Sequence, residues 1–309
     1  MMVKSHDDSF FFIVNPAAGG GEVGQKWIEI EKRLRAQSVQ YQVHQTTAPL
    51  EATEITRQAL ADGYKQFISV GGDGTNHEII NGLFDHQDTI PAGVSLGFFP
   101  SGSGNDFLRF INISDDLSQS MNRLHTAHTQ KIDIGKMSFN RAGVKCHEYY
   151  LSVAGTGFTA DVTKTANDYF KFLGGYCYIG GFLPNIAFLQ NVALEITIDE
   201  ETYHRKSCMT VVANTAYFGG GMKIAPDASI QDGLLDILLF REFGRLELIM
   251  NFLDVFKGTH VRHSKVEVFR GRHVTIKSEI KQNLLADGEI IGQTPVEFFC
   301  LPQVLSVRV

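Results

Sequence analysis

Hydrophobic positions along the first third of the chain alternate between two periods. An unbroken apolar run at Phe10–Val14 is followed by apolar residues at helical spacing over residues 27–34. Residues 41–44 read as a strand, 52–61 as a helix and 67–70 as a strand. Residues 75–83 are again helical, and 94–99 form a further apolar run. Short apolar runs fit buried strands, and the longer repeats fit helices that cover them. The order β-α-β-α-β-α-β predicts a mostly parallel sheet under helices. Such sheets bind ligands beyond the carboxyl ends of their strands. Glycine-rich stretches stand at three of those ends, after Val14, Val70 and Phe99.

From about Lys131 the pattern changes to many short strands between turn-rich segments. They fall at residues 131–137, 149–153, 193–198, 208–213, 234–240, 273–278, 296–300 and 305–309, with one helix over 245–256. This predicts a β-sandwich-like second domain. The expected fold is α/β plus β. An N-terminal α/β domain with a mostly parallel sheet spans residues 1–130, a C-terminal β-sandwich-like domain spans 131–309, and a cleft lies between them. Residues 172–194 carry no charge, a length at which membrane helices occur. Gly174, Gly175, Gly180, Gly181, Pro184, Asn185, Gln190 and Asn191 interrupt them, so the reading is a buried or interfacial helix with breaks.

Composition narrows the class. The chain has 309 residues, 43% of them hydrophobic, ordinary for a globular protein and long enough for two domains. Its net charge of −6 argues against a nucleic-acid partner, whose binding rests on neutralised phosphates. Residues 1–130 carry nine Lys/Arg against fifteen Asp/Glu, a net of −6, whereas residues 241–281 carry nine against five, a net of +4. That basic stretch suits an anionic membrane surface, or simply a solvated mixed surface. Cys146, Cys177, Cys208 and Cys300 stand far apart and read as reduced thiols of a cytosolic protein. Met1 to Asp8 places acids before any apolar run and is not read as a signal peptide. The eleven histidines show no ligand spacing, and His260 and His263 read as surface residues.

The three glycine stretches carry the chemistry. Gly71-Gly72-Asp73-Gly74-Thr75 follows a strand and opens a helix, where backbone N–H groups can converge on a phosphate. Asp73 beside a phosphate needs a cation such as Mg²⁺ between them; otherwise Asp73 is a helix cap. Asn15-Pro16-Ala17-Ala18-Gly19-Gly20-Gly21 contains a formal G-x-G-x-x-G through Gly24. The second strand, however, ends His44-Gln45-Thr46-Thr47 without the acid a dinucleotide site expects. Gly24 is followed by Gln25-Lys26-Trp27, so it is not a Walker A loop either. In Pro100-Ser101-Gly102-Ser103-Gly104-Asn105-Asp106, Asp106 could accept a proton, hold Mg²⁺ through water or cap the next helix. Asp73, Asp106 and Asp133 are expected to meet at the strand ends.

These motifs, with Glu78, Asn81-Gly82, Asp133-Ile134-Gly135, Asn214, Gly219-Gly220-Gly221, Pro226-x-Ala228, Asp232-Gly233-Leu234-Leu235-Asp236 and Asp287-Gly288-Glu289, resemble the diacylglycerol kinase catalytic family. The likeness covers nearly the whole chain, in order, and is greatest to the soluble bacterial lipid kinases. Gly-Gly-Asp-Gly-Thr alone is shared with NAD kinases, phosphofructokinases and sphingosine kinases. Ser103 stands where many members carry Thr, closer to the sphingosine-kinase version.

The resemblance implies a two-domain kinase that binds ATP with Mg²⁺ in the cleft. Asn15, Gly19, Thr47, Gly71, Gly72, Asp73, Gly74, Thr75, Glu78 and Ser103 would contact the nucleotide, and Lys171 would lie near the phosphates. It assigns the general base to Glu289, with Asp287 as the competing choice. Asp73 and Asp106 join the catalytic set, and Asp232 with main-chain oxygens of Ser229 and Leu234 forms the Mg²⁺ site. Tyr169, Phe170, Phe172, Leu173, Tyr176 and Tyr178 either line an acyl groove or pack in the core. The implied acceptor is a membrane lipid, first diacylglycerol, then phosphatidylglycerol or a sphingoid base, with soluble NAD as the alternative. Phosphatidic acid would be the product with diacylglycerol. The implied location is cytoplasmic and peripheral at the inner membrane face, and a homodimer stays open.

Overall fold

The computed structural model describes residues 9–101, 104–170 and 177–309. The chain divides into two compact units, Met1–Ile132 with Gln303–Val309, and Asp133–Pro302.

The first unit follows the order that the apolar periods predict. It runs β1 (Phe10–Val14), α1 (Glu22–Ala36), β2 (Tyr41–Gln45), α2 (Glu51–Ala61), β3 (Gln66–Gly71), α3 (Asp73–Leu83) and β4 (Ser95–Pro100). Two further helices, α4 (Asp106–Phe110) and α5 (Leu117–His125), follow. The strands lie in the order β2-β1-β3-β4, all parallel. Val14 stands opposite Gln45 and Val70, and Gly71 opposite Pro100, so the strands end in line. All three glycine stretches therefore leave from one sheet edge. Trp27, Ile30 and Leu34 of α1 and Met121 and Leu124 of α5 bury one face against Phe12, Val14, Val70 and Phe99. Alternation sends Phe11 and Phe67 to the other face, where their rings stand 6.0 Å apart.

Sequence patterning assigns residues 303–309 to the second domain, but they belong with the first unit. The reason is a strand pairing: Ser306 and Val307 run parallel to Ser95 and Leu96 and cover the open edge of β4. Arg308 anchors the return. Its Nη2 donates to Gln66 Oε1 at 2.6 Å, Nη1 donates to the Thr126 carbonyl, and the guanidinium lies over the Phe10 ring.

The second unit is β-rich. Its strands are β5 (Thr129–Arg141), β6 (Val144–Tyr150), β7 (Val153–Gly157), β8 (Val192–Ile198), β9 (Glu201–Ala213), β10 (Tyr217–Phe218), β11 (Met222–Lys223) and β12 (Leu235–Arg241). They continue with β13 (Val266–Gly271), β14 (His273–Ser278), β15 (Asn283–Ala286), β16 (Glu289–Gln293) and β17 (Val296–Arg308), whose last residues from Gln303 are those of the first unit. Antiparallel pairs join β9 to β7, β8 and β12, β14 to β8 and β17, and β15 to β7 and β16. Successive residues of β12 serve two cores: Ile237 and Leu239 enter one cluster, Leu238 and Phe240 the other. Both faces of that strand are buried, which explains its unbroken apolar run.

The α-helices of this unit among the described residues are α6 (Phe158–Thr165), α7 (Cys177–Ile186), α8 (Arg245–Asn251) and α9 (Asp254–Lys257). Phe158, Phe182, Leu248 and Val255, one from each, join the second cluster. The single helix expected over 245–256 is thus two pieces. Asn251 Nδ2 donates back to the Glu247 carbonyl at 2.8 Å, a side-chain competitor for the helix ladder. Among the described residues no helix is long and apolar enough to cross a membrane. In α7 the Asn185 amide binds the Gly181 carbonyl and the Thr165 hydroxyl, both at 2.8 Å.

Candidate active site

The sheet edge of the first unit brings the three loops together. After β1, Asn15 donates from Nδ2 to Thr75 Oγ1 at 3.1 Å and accepts at Oδ1 from the Ala17 N–H at 3.2 Å. Gly19, Gly20 and Gly21 then run at φ of 60°, 67° and 97° into α1. After β3, the buried Thr75 turns back onto Gly71, where a Cβ would stand 2.4 Å from Thr75 Oγ1. Only glycine fits that approach. After β4, the Asp106 N–H donates to Asp73 Oδ2 at 3.4 Å, and a Cβ on Gly104 would stand 2.7 Å from the same oxygen. Asp73 and Asp106 are therefore neighbours, as the motif order predicts. Asp106 is buried and pairs with Arg109 Nη1 at 2.9 Å, a partner the sequence reading missed. Ser103 and Lys171 lie outside the described residues.

Two expected nucleotide contacts have local partners. Both Glu78 oxygens accept backbone N–H groups at the start of α2, from Leu50 at 3.0 Å and Ala52 at 3.1 Å. Glu78 thereby supplies the cap that α2 lacks in its own N-cap residue, Leu50 at φ 66°. The Thr47 N–H and hydroxyl both donate to Glu51 Oε2, at 2.5 and 3.0 Å. Those bonds, the backbone one foremost, hold the Glu51 carboxyl below its ordinary value.

Asp133 lies in the second unit. It is fully buried, and its Oδ2 accepts the Gly233 N–H at 2.7 Å. Asn214 Nδ2 ties the carbonyls of Asp133 and Leu151, at 3.0 and 2.7 Å. Within its own unit Asp133 holds the Asp232–Leu234 turn through that Gly233 bond. Asp232 is exposed, and its Oδ1 accepts the Leu234 N–H at 3.1 Å, leaving Oδ2 without a partner among the described residues. That oxygen and nearby main-chain carbonyls are the hard donors that Mg²⁺ takes. No group of three or more His, Cys, Asp or Glu side chains gathers as a metal cluster among the described residues. Nearby Asp236 is buried, which pushes its carboxyl up even though Arg270 Nε donates to it at 2.9 Å.

The Asp-Gly-Glu segment separates its two acids. Asp287 and Gly288, at φ 45° and 89°, form the two-residue turn between β15 and β16, with Ala286 opposite Glu289. The Asp287 carboxylate accepts the N–H groups of Leu151, Ser152 and Val153 at 2.8, 2.8 and 3.3 Å. Those bonds interrupt the strand expected over 149–153, which is instead the junction of β6 and β7. Asn167 Nδ2 holds the Gly288 carbonyl at 2.8 Å. Glu289 is exposed at the start of β16, and no hydrogen bond or ion pair engages its side chain among the described residues.

A second feature of this unit is invisible in the motifs. An apolar pocket opens among the helices, walled by Phe158, Tyr178, Phe182, Leu248, Phe252 and Val255. The Phe182 and Phe252 rings stand 4.2 Å apart where α7 meets the residue after α8. Of the aromatic residues expected to line a groove, Tyr178 does so, whereas Tyr169 is 71% exposed. Phe172, Leu173 and Tyr176 lie outside the described residues. His260, read from sequence as a surface residue, is buried in the pocket wall, stacked on Phe240 at 5.8 Å with Nε2 2.9 Å from the Ile224 carbonyl. Burial holds its pKa below the ordinary value.

Comparison with known proteins gives a consistent result. Residues 9–137 match the family model described as diacylglycerol kinase catalytic domain. Residues 152–309 match that of the YegS C-terminal NAD kinase beta sandwich-like domain. The chain is 30% identical over 311 residues to YtlR of Bacillus subtilis (strain 168), provisionally named a lipid kinase, covering 97% of this chain and 99% of that protein. It is 26% identical over 296 residues to a diacylglycerol kinase of Staphylococcus carnosus (strain TM300), covering 96% and 93%. A crystal structure from Bacillus anthracis str. Sterne, provisionally described as a diacylglycerol kinase, shares the fold at a TM-score of 0.78 and 23% identity, over 97% of this chain and 95% of that one.

Proposed function

Because the chain belongs to the diacylglycerol-kinase-like family of lipid kinases, we propose that it transfers the γ-phosphate of Mg-ATP to the hydroxyl of diacylglycerol, giving phosphatidic acid. The apolar pocket carries the lipid half of this reading. Its walls are almost wholly hydrocarbon and aromatic, the lining that pockets for apolar ligands take. An acyl chain is the ligand such walls suit.

The nucleotide half rests on the gathered loops of the first unit. Phosphoryl transfer needs chiefly positioning and charge neutralisation. The backbone N–H groups of Gly19 and of Gly72 to Thr75 are the phosphate donors, and Asn15 and Thr75 fix two of the loops to each other. Asp73 would hold a Mg²⁺ that offsets the phosphate charge, and Asp232 with the Ser229 and Leu234 carbonyls would offer a second oxygen set. Glu289 is the base that takes the lipid hydroxyl's proton, since its carboxylate is uncommitted while Asp287 is bound by three N–H groups. The reaction belongs at the inner membrane face, where ATP and the lipid are both present.

The test is transfer of labelled γ-phosphate in mixed micelles to diacylglycerol, phosphatidylglycerol, sphingosine and ceramide, with soluble NAD alongside. Labelled phosphatidic acid is the expected product. Label in another lipid would change the acceptor, and label in NADP alone would overturn the lipid reading.

A further inference from the structure

Two helices around the apolar pocket are apolar on their outer sides as well. In the segment from α8 onward, Leu248, Asn251, Phe252 and Val255 face the pocket at spacings of three and four residues. Leu246, Ile249, Met250 and Leu253 repeat the same spacing on the opposite side, and Leu246, Met250 and Leu253 are 76%, 74% and 68% exposed. The same division recurs on α7. Tyr178 and Phe182 line the pocket, while Ile179 and Leu183 lie exposed one residue further on. A water-facing helix normally keeps its outer face polar; one that is apolar all round is buried in something.

We propose that the outer faces of α7 and α8 form the surface by which this protein docks on an anionic lipid bilayer, so that acyl chains pass from the bilayer between these helices into the pocket. The occupant follows from two observations. The same two segments carry the exposed face and wall the lipid pocket, where they meet at the Phe182–Phe252 contact, so the helices that contact the acyl chain also contact its source. Arg245, Lys257 and Arg262 flank the face, are all exposed and have no ion-pair partner among the described residues. The acid on the same helix, Glu247, is instead neutralised by Lys265 at 2.6 Å. Exposed cations bordering an apolar stripe are the arrangement of a helix lying in an interface. The pathway into the pocket rests on the lipid-kinase reading; the docking surface is tested without it.

The experiment compares the wild-type protein with M250E/L253E, two exposed positions outside the pocket wall. Co-sedimentation with phosphatidylglycerol/phosphatidylcholine vesicles measures docking directly. Phosphorylation of a short-chain, water-soluble diacylglycerol measures the kinase independently. The wild type is expected to sediment with the vesicles, less so at high salt because the flanking cations are screened. The variant should bind at least about tenfold more weakly, given two large apolar side chains withdrawn from the interface. Its melting temperature and its activity on the short-chain substrate should stay unchanged, while activity on vesicle-embedded substrate falls. Equal sedimentation of both proteins, or none by the wild type, would overturn the docking surface. A wild-type dimer that the variant dissolves with vesicle binding unchanged would assign the face to a second copy of the chain and overturn it too. Loss of short-chain phosphorylation by the wild type would count against the kinase reading alone.

Discussion

Asp287 and Glu289 are two residues apart and carry the same functional group, yet their surroundings give them different work. Asp287 satisfies three backbone N–H groups at the junction of β6 and β7, a clamp between strands distant in sequence. Hydrogen bonds to a charged acceptor contribute on the order of 1.5–3 kcal/mol each, so Asp287→Ala should lower the melting temperature markedly. Glu289→Gln should leave melting unchanged and cut kcat by about a hundredfold or more while ATP still binds. Calorimetry and steady-state kinetics on both variants separate the roles. Undiminished turnover in Glu289→Gln would remove it as the base. Gly71 is a second residue whose identity geometry dictates. A methyl group there overlaps the Thr75 hydroxyl, so Gly71→Ala should displace Thr75, loosen its bond with Asn15 and raise the KM for ATP. An unchanged KM would show that this loop does not hold the nucleotide.

At the scale of elements, α6, α7 and α8 do more than cover a sheet. Val162 of α6 lies in the pocket wall, and Val162→Phe would fill part of the cavity with a ring. Each methylene excluded from such a pocket is worth about 1–3 kcal/mol in discrimination. The variant should therefore lose kcat/KM for long-chain diacylglycerol by about tenfold or more relative to a short-chain one. An unchanged chain-length profile would place the acyl chain elsewhere. The division of the expected helix into α8 and α9 belongs to this scale too. The break follows Asn251, whose side chain lines the pocket and whose amide takes the Glu247 carbonyl.

For the whole molecule, two features reach beyond any one element. The last residues of the chain cover the edge of β4, a strand buried along its length. Deleting residues 303–309 would expose that edge, remove the Arg308 anchor and leave a template for aggregation. Loss of soluble protein on expression is the expected result; a soluble, folded truncation would show the return strand to be dispensable. Stability should also depend on pH through His260. Its folded-state pKa is depressed by burial, so the folded protein favours neutral imidazole. That contribution is fully present above the ordinary value of 6.5 and is lost as pH falls through the depressed folded value. Denaturant midpoints should fall in that acidic direction, and less so in His260→Gln.

Much of this protein is legible in its sequence. Period and punctuation determined β1, β3 and β4, parallel strands buried on both faces that read as apolar runs, the alternating edge strand β2, and the helices between them, which keep a 3.6-residue stripe. The same punctuation put the glycine loops at one sheet edge, where Asp73 and Asp106 meet. Motif order also marked Asp287-Gly288-Glu289, whose Asp-Gly pair forms the hairpin turn between β15 and β16. Tertiary structure decided the rest. Which carboxylate of that segment is free depends on Leu151, Ser152 and Val153, more than 130 positions away in the chain. Only packing shows that the Glu78 carboxylate caps α2, and His260 reads as a surface residue until Phe240 and Ile224 enclose it. Residues 303–309 look like any closing strand of a β domain, and only their pairing with β4 gives them to the first unit. Of the pocket only Tyr178 was marked in the sequence, because a cavity is where side chains from several elements fail to meet. Local periodicity specifies which residues face inward; which of them touch, and what they leave empty, is set only when distant segments pack.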